Sequence, residues 1–512
     1  MKKFYRALCL CILLCMAVAI FAACDNSEEA GNTSDVSQGT SQPGESEGSG
    51  ETSEVTFPLE KQDFGGVTIK ALSYETEGSF QYQTFEIAPQ SINTDPVNDI
   101  AYNRAQLIRQ EYGIDLVQEL VATKNDVVDT VREMVTTDMD NYQLVVAPLH
   151  YLAKLVADDA YYDLSAIENG YIDLSKPYWD QKINKQLSVM GHNFFVNGDA
   201  IVSDDEATWA VFFNKDIAAD HNLADAYGAA SIYEIVERGD WTIDVMYEMA
   251  KKVVNDNGDG MSWSASSDDV WGISAQAYDG YTFTVAGGHT MTKLDEDGVP
   301  YITIGDEGNI EAYDRVHNIL NDKTVCSLAE VEGRSSSNRY EEIVQIFANG
   351  GALFTPEKIG TVSNPVMRNA NIRYGLLPMP KIDKSQEDYT STITVWWCSA
   401  MAIPTSNVEK LDATCYAMEA LAYYGMEMLT PEYYDRTLKN KRFEDQESED
   451  MLDLIFRNRT YDVGIVLNFA NDMLGFYDTI LISGNNTHVS ALDSRRDAFQ
   501  EAIDDFADMF LE

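Results

Sequence analysis

The residues able to do chemistry in this chain fall into three groups: an oxygen-rich turn, a few thiols, and aromatics set beside acids. In Asn255-Asp256-Asn257-Gly258-Asp259-Gly260, the oxygens of Asn255, Asn257 and Asp259 alternate and glycine is sixth, a spacing that suits calcium. The first place holds Asn instead of Asp and the twelfth Ser266 instead of Glu, so the same residues also favour a plain polar turn, with Asp268 and Asp269 as late donors. Catalytic signatures are missing: His150, His192, His221, His289, His317 and His488 show no metal spacing, and no G-x-S-x-G, P-loop or G-x-G-x-x-G occurs. With 84 acids, carboxylate pairs for glycoside hydrolysis arise by chance and single out nothing. The aromatic candidates are better defined. Trp396 and Trp397 are adjacent, and because successive strand residues face opposite ways only one of them can line a cleft. Asp204, Asp205 and Glu206 precede Trp209, Tyr278 and Tyr281 precede Gly287-Gly288, and Phe476 and Tyr477 form a late pair. Three acids in a row also make a solvated turn, whereas Trp241 and Trp271 read as core.

The thiols divide by position. Lys2, Lys3 and Arg6 precede an apolar run from Ala7 to Ala23, and then come Cys24 and acid rather than a positive flank, which reads as an export signal over 1–23. Phe21-Ala22-Ala23-Cys24 resembles the bacterial lipobox, whose Cys accepts a diacylglycerol; Phe21 departs from its usual aliphatic residue. Cys24 is thus the expected lipidation site. Residues 24–56 follow as Ser, Gly, Thr and Glu with no Lys, Arg or aromatic beyond Cys24, a composition that cannot offset its chain entropy and reads as a tether of about 30 Å. Cys326, Cys398 and Cys415 remain in the body, too far apart for a zinc site or a disulfide framework; at most one pair can close. Cys415 falls on the apolar face Val408, Leu411, Cys415, Met418, Ala422, which makes it core.

Elements must position these groups. From Phe57 onward, strand-like runs (66–72, 142–148) alternate with amphipathic ones (99–112, 125–136, 242–254, 309–320, 339–348, 408–424, 493–511), which predicts an α/β body with largely parallel sheets and a ligand crevice off the strand ends. The chain has 512 residues, enough for two large lobes. Its 84 Asp and Glu against 36 Lys and Arg give a net charge of −48, about −51 once the three cations of the signal are gone. No basic stripe exists for phosphate, so nucleic acid is excluded as a partner.

The order of segments carries more. Phe212-Phe213-Asn214-Lys215-Asp216 is followed by Trp241-Thr242, then by Phe347-Ala348-Asn349-Gly350-Gly351-Ala352 and Leu377-Pro378-Met379-Pro380. This succession resembles the family 1 extracellular solute-binding proteins of ABC importers, the group that includes maltose-binding protein, from about Gly66 to the C-terminus. The resemblance implies a two-lobed periplasmic-binding-protein-like fold of type II, with a ligand cleft between lobes joined by chain crossovers. It implies a first lobe of 57–203 plus 351–407, a second of 204–350 plus 408–512, and hinges near 203–206, 350–353 and 407–409. It implies a lipid-anchored monomer on the outer face of a bacterial cell membrane that captures a solute, its partners being an oligosaccharide and ABC permease subunits, without catalysis of its own. A peptide or other non-sugar solute is one alternative and a surface carbohydrate-active enzyme is another. Under this resemblance Asp205, Glu206 and Trp209 sit at the hinge where a carboxylate meets sugar hydroxyls. Trp396 or Trp397, with Tyr278, Tyr281, Phe476 and Tyr477, would be the aromatic walls.

Overall fold

The computed structural model describes residues 56–75, 87–258, 260–262, 264–330, 338–439 and 445–511. Cys24, Asp259, the expected signal and all of the tether but Thr56 lie outside them. Phe57–Glu512 is one compact unit.

The apolar pattern of the first strand-like run is buried against helices on both sides. β1 (Val67–Tyr74) pairs in parallel with β2 (Ile114–Val121), Val67 opposite Ile114. The helix Pro96–Tyr112 joins them; Asp95 caps its start, and Gly113 ends it at φ 63°, where a side chain would collide with Asp63. Thr123 and Asp126 form a reciprocal cap that starts the helix Lys124–Thr136, which leads to β3 (Leu144–Pro148), parallel to β1 on its other side. After the short helix Ser203–Ala207 the chain enters a second sheet with β4 (Trp209–Asn214) and β5 (Trp271–Ala275). A hairpin of β6 (Thr292–Leu294) and β7 (Pro300–Ile302) precedes β8 (Cys326–Leu328), β9 (Ala352–Lys358) and β10 (Tyr374–Leu377). The sheet runs β10-β4-β9-β5-β8, with β9, β5 and β8 parallel and β4 antiparallel to its two neighbours. β11 (Ser391–Thr392) then leads back to β12 (Ser399–Ala402), which lies antiparallel to β3 and completes the first sheet as β12-β3-β1-β2. β13 (Arg459–Thr460) pairs with β11.

Two expected boundaries are corrected by this pairing. β9 and β10 belong to the second sheet, so the chain returns to the first at 391–398 and not at 350–353. Gly350, at φ 87°, only turns the chain from the helix Arg339–Ala348 into β9. Nor do residues 408–512 go wholly with the second sheet. The helix Leu411–Tyr424 packs on the first, where the Leu421 carbonyl accepts from buried Arg104 at 3.1 Å. The helix Gln446–Arg457 instead lies beside β10, with Ser448 hydrogen-bonded to Tyr233 at 2.7 Å.

Trp241 and Trp271 are core residues, their indole N–H groups donating to the Pro378 and Ser262 carbonyls. Cys326, Cys398 and Cys415 are buried and free, so no pair closes among them. Among the described residues no helix is long and apolar enough to cross a membrane.

Candidate functional site

The C-terminal ends of β1, β2 and β3 and the start of β12 all lie at one edge of the first sheet, as their register requires. The C-terminal ends of β5, β8 and β9 and the start of β4 likewise share one edge of the second. The two edges meet at Trp397. Lys124, from the loop end of β2, places Nζ 3.4 Å from the centre of the Trp397 ring, and Lys358, the last residue of β9, lies 5.7 Å from it. The two crossover segments, the short helix Ser203–Ala207 and the turn at 394–397, lie side by side at this point: Thr394 N–H donates to the Ala207 carbonyl at 3.0 Å, and Ser203 Oγ donates to the Trp397 carbonyl at 3.0 Å.

Trp396 and Trp397 lie in a turn between β11 and β12 and not on the expected strand, with the Trp397 N–H donating to the Thr394 carbonyl at 3.1 Å, and the two rings differ in exposure. Trp396 is 37% exposed, and its ring leans on His150 (4.3 Å between centres) and Tyr151 (6.2 Å), which follow β3. Trp397 is partly buried with one face taken by Lys124, which leaves Trp396 as the open aromatic wall. His150 is buried, its Nδ1 has no partner, and burial pulls its pKa down to about 4, so the ring is neutral at neutral pH.

On the second edge, Trp209 is buried and donates from Nε1 to Asp279 at 2.8 Å, with Tyr278 edge-on at 5.5 Å. Tyr278 donates to the Ile393 carbonyl at 3.2 Å, and Tyr281 sits 3.4 Å from the Thr392 hydroxyl, so both are tied to the returning strand. Further out are Glu330, which accepts from the Ala277 N–H at 2.8 Å, and Asp478, whose Oδ1 is buried without a partner. Burial raises both carboxyls, that of Asp478 to about 7 with the charge of Glu330 adding to it, while the Ala277 N–H, Tyr340 and Arg339 oppose the rise of Glu330.

Asp205 is ion-paired within the protein, at the wall of a cavity that Asp204 and Arg459 also line. It accepts from Arg459 at 2.8 Å, while Asp204 pairs with the other terminal nitrogen of Arg459 at 2.5 Å and Asp180 lies at 4.0 Å. Burial raises the carboxyls of Asp204 and Asp205, with the Arg459 charge opposing it. Glu206, the third acid of the triplet, is half-buried. Phe476 and Tyr477 are also core: Tyr477 stacks on Tyr313 at 4.3 Å and donates to Asn309. A carboxylate or an aromatic at these places satisfies the fold's own needs. Tyr281, at 2% exposure, is in the same position.

Sequence reasoning missed Lys124, His150, Tyr151 and Lys358. Each lies one to three residues past a strand's C-terminal end or at its last residue, and that position was the only signal. In the oxygen-rich turn, Asp256 accepts from the Gly258 and Gly260 N–H groups, and Asp269 accepts from Asn257 and Ser262, the bonding of a polar turn. Among the described residues no three His, Cys, Asp or Glu side chains cluster as a metal site.

Comparison with protein-family models and with curated proteins finds no match. Comparison with solved structures finds the fold. The chain resembles an ABC substrate-binding protein from Listeria monocytogenes in complex with cycloalternan, at TM-score 0.53 and 13% identity over 85% of this chain and 99% of that one. It also resembles the maltose/maltodextrin-binding domain from Bdellovibrio bacteriovorus bound to maltotriose (0.52, 12%, 85% and 99%). A third likeness is to a sugar transporter from Rhizobium etli in an open conformation (0.54, 15%, 86% and 99%). The fold is therefore the two-lobed one of periplasmic-binding-protein-like solute receptors.

Proposed function

We propose that this chain is the solute-binding lipoprotein of an ABC importer and that it captures a carbohydrate between its two sheets. The observation that supports this best is the meeting of both sheet edges at Trp397, with the exposed Trp396 next to it in the chain and Glu330 just past the end of β8 on the second edge. A sugar presents C–H bonds on its faces and hydroxyls around its rim, so it needs a flat aromatic wall and nearby carboxylates. The solved structures of like fold include complexes with cycloalternan and maltotriose, which supports the same class of solute. Capture works by closure: a ligand that touches both sheets binds the closed state better, and that difference in affinity is what a permease can read. Cys24 would hold the chain at the outer face of the membrane through its lipid, and the tether would give it reach.

A thermal-shift screen of the purified protein against oligosaccharides and peptides tests this reading, since a ligand that binds only the native state raises Tm. The expected result is a rise with one or more oligosaccharides, which are recovered uncleaved. Shifts by peptides alone overturn the carbohydrate assignment, and cleavage of the glycan overturns the non-enzymatic one. For the anchor, Cys24→Ser releases the protein from the membrane fraction; equal release of the wild-type chain overturns lipidation.

A further inference from the structure

Beyond the crossovers, the late part of the chain touches the body of the first sheet again. The helix Val463–Leu467 packs against the helix Leu149–Ala153, whose His150 and Tyr151 lie against Trp396. The Phe510 ring stacks on His192 at 4.7 Å and lies 5.9 Å from Phe194, two residues before Val196 bridges to Met401 of β12. The Met190 N–H donates to the Gly298 carbonyl at 3.0 Å, which brings in the β6–β7 hairpin. The helix Val463–Leu467 is pinned to that hairpin as well: Asp462, 2% exposed, accepts from the Met291 N–H at 2.6 Å and from the Thr292 hydroxyl at 2.8 Å. These contacts form a seam between the two halves of the molecule.

One turn serves two of the seam contacts, and its backbone is strained. After the helix Val463–Leu467, Asn468, Ala470 and Asn471 have φ of 49°, 54° and 53°. Asn tolerates the left-handed region through local side-chain bonds, as Asn468 Oδ1 shows in accepting from the Leu474 N–H at 2.8 Å. Ala has no such bond and carries the full steric cost there. Ala470 is exposed, so the packing of its own side chain does not explain its conformation. Its neighbours do. Phe469, 4% exposed, meets Phe506 edge-on at 5.9 Å on the helix Arg496–Asp508, which leads to Phe510, and Asn468 closes the helix that packs on Leu149–Ala153.

We propose that this turn is a spring set against the seam: left-handed Ala470 makes the closed seam costly, and parting of the halves lets the residue relax. A receptor whose closure reports occupancy needs a closed state that is not already dominant when it is empty, because a ligand can signal only through an equilibrium it shifts. Strain at a single residue keeps such a balance. The inference goes beyond the carbohydrate reading and needs only the two-lobed fold, because it concerns the empty protein.

Substitution of Ala470 in two directions tests it, and neither change enters the core. Glycine accepts a φ near 54° without strain, whereas β-branched valine resists it more than alanine does. Spin labels at Asp129→Cys and Asp244→Cys report the spacing of the halves; both positions are exposed, on helices Lys124–Thr136 and Ile243–Val253 that pack on the first and second sheets. The full chain is used with Cys9, Cys11, Cys15 and Cys24 each replaced by Ser, and Cys326, Cys398 and Cys415 are buried from the label. Pulsed dipolar spectroscopy on the empty protein should give a ratio of open to closed populations about 5-fold or more larger in Ala470→Val than in Ala470→Gly, the scale of one left-handed L-residue. The urea midpoint should fall in the order Gly, Ala, Val. Equal distance distributions in the two variants, or a ratio that moves the other way, overturn the inference even if the midpoints differ, because the turn is then strained in every state. Equal midpoints for Gly and Ala overturn it also, because Ala470 then carries no strain.

Discussion

Two regions of this molecule collect charged and aromatic side chains a short distance apart, and they use them in opposite ways. At the crossover helix Ser203–Ala207, Asp204, Asp205 and Asp180 gather round one guanidinium, that of Arg459, and all four side chains are at most 15% exposed. At the meeting of the sheet edges, Lys124, Lys154 and Lys358 gather round rings, and Trp396 remains open to solvent. The first region sets its charges against one another, tying the crossover helix to the strand that carries Arg459. The second has left a surface. Burial of a charge is costly unless it is paired, so a buried cluster commits its members to each other, and only groups at an exposed edge stay available to a solute.

The largest expected effect breaks the first region. Arg459→Met leaves three carboxylates without their counter-ion and costs about 3–5 kcal/mol of stability, read as a large fall in the midpoint of urea unfolding. A loss below about 1 kcal/mol would mean that the cluster is solvated and the contrast between the regions false. Next comes the second region: Trp396→Ala lowers affinity for the solute at least about 10-fold, as removal of an aromatic anchor does. Stability of the unliganded protein then changes by only about 1 kcal/mol or less, because the ring is substantially exposed. If instead both variants unfold the protein and neither acts on binding alone, the two regions do not differ in role.

The edge of the ion cluster offers a pH test. Asp199, bonded to the Thr430 hydroxyl at 2.6 Å, has its carboxyl pushed up to about 7 by burial, with Asp205 and Asp180 adding to the rise and Thr430 and Arg459 opposing it. Its native pKa lies above that of the unfolded chain, so the stability it contributes is complete below about pH 4 and is lost as pH rises through 7. Asp199→Asn keeps an oxygen for Thr430 and removes the titration. Wild type should therefore lose stability relative to this variant between pH 4 and 7, in denaturant midpoints taken across that range. Parallel curves for the two proteins would show that the aspartate ionises normally.

What the sequence made legible follows the same division. The periodic stretches became elements within a few residues, 99–112 as Pro96–Tyr112 and 339–348 as Arg339–Ala348, because apolar spacing records which face is buried. Trp396 and Trp397 stand out in sequence as an adjacent aromatic pair, but they lie in a turn and not on a strand, so alternation does not explain why one is open and the other packed. The return crossover was not: Gly350-Gly351 looks the same in sequence whether it turns a chain within a sheet or carries it to another, and only the hydrogen bonds of β9 to β4 decide. Asp205 was misplaced for a related reason, since its partner Arg459 is 254 residues away and no local pattern connects them. Lys124 and Lys358 look like ordinary surface lysines until the fold brings both to one ring.

The smallest effect bears on aromatics that look like binding residues but lie in the core. Tyr477, like Trp396, belongs to an adjacent aromatic pair in the sequence, yet it is 1% exposed, stacked on Tyr313 and hydrogen-bonded to Asn309. In Tyr477→Phe the stacking stays and one hydrogen bond goes, and the Asn309 oxygen it served is left buried. The cost is about 1 kcal/mol of stability, at the lower end of what a buried unmet acceptor carries. Affinity for the solute should not move, because the lost hydroxyl points at Asn309 and not toward the sheet edges. Calorimetry on this variant is therefore the control for Trp396→Ala: one aromatic changes stability and not binding, the other binding and not stability. Weakened binding in Tyr477→Phe with stability unchanged would move this pair from the core to the site.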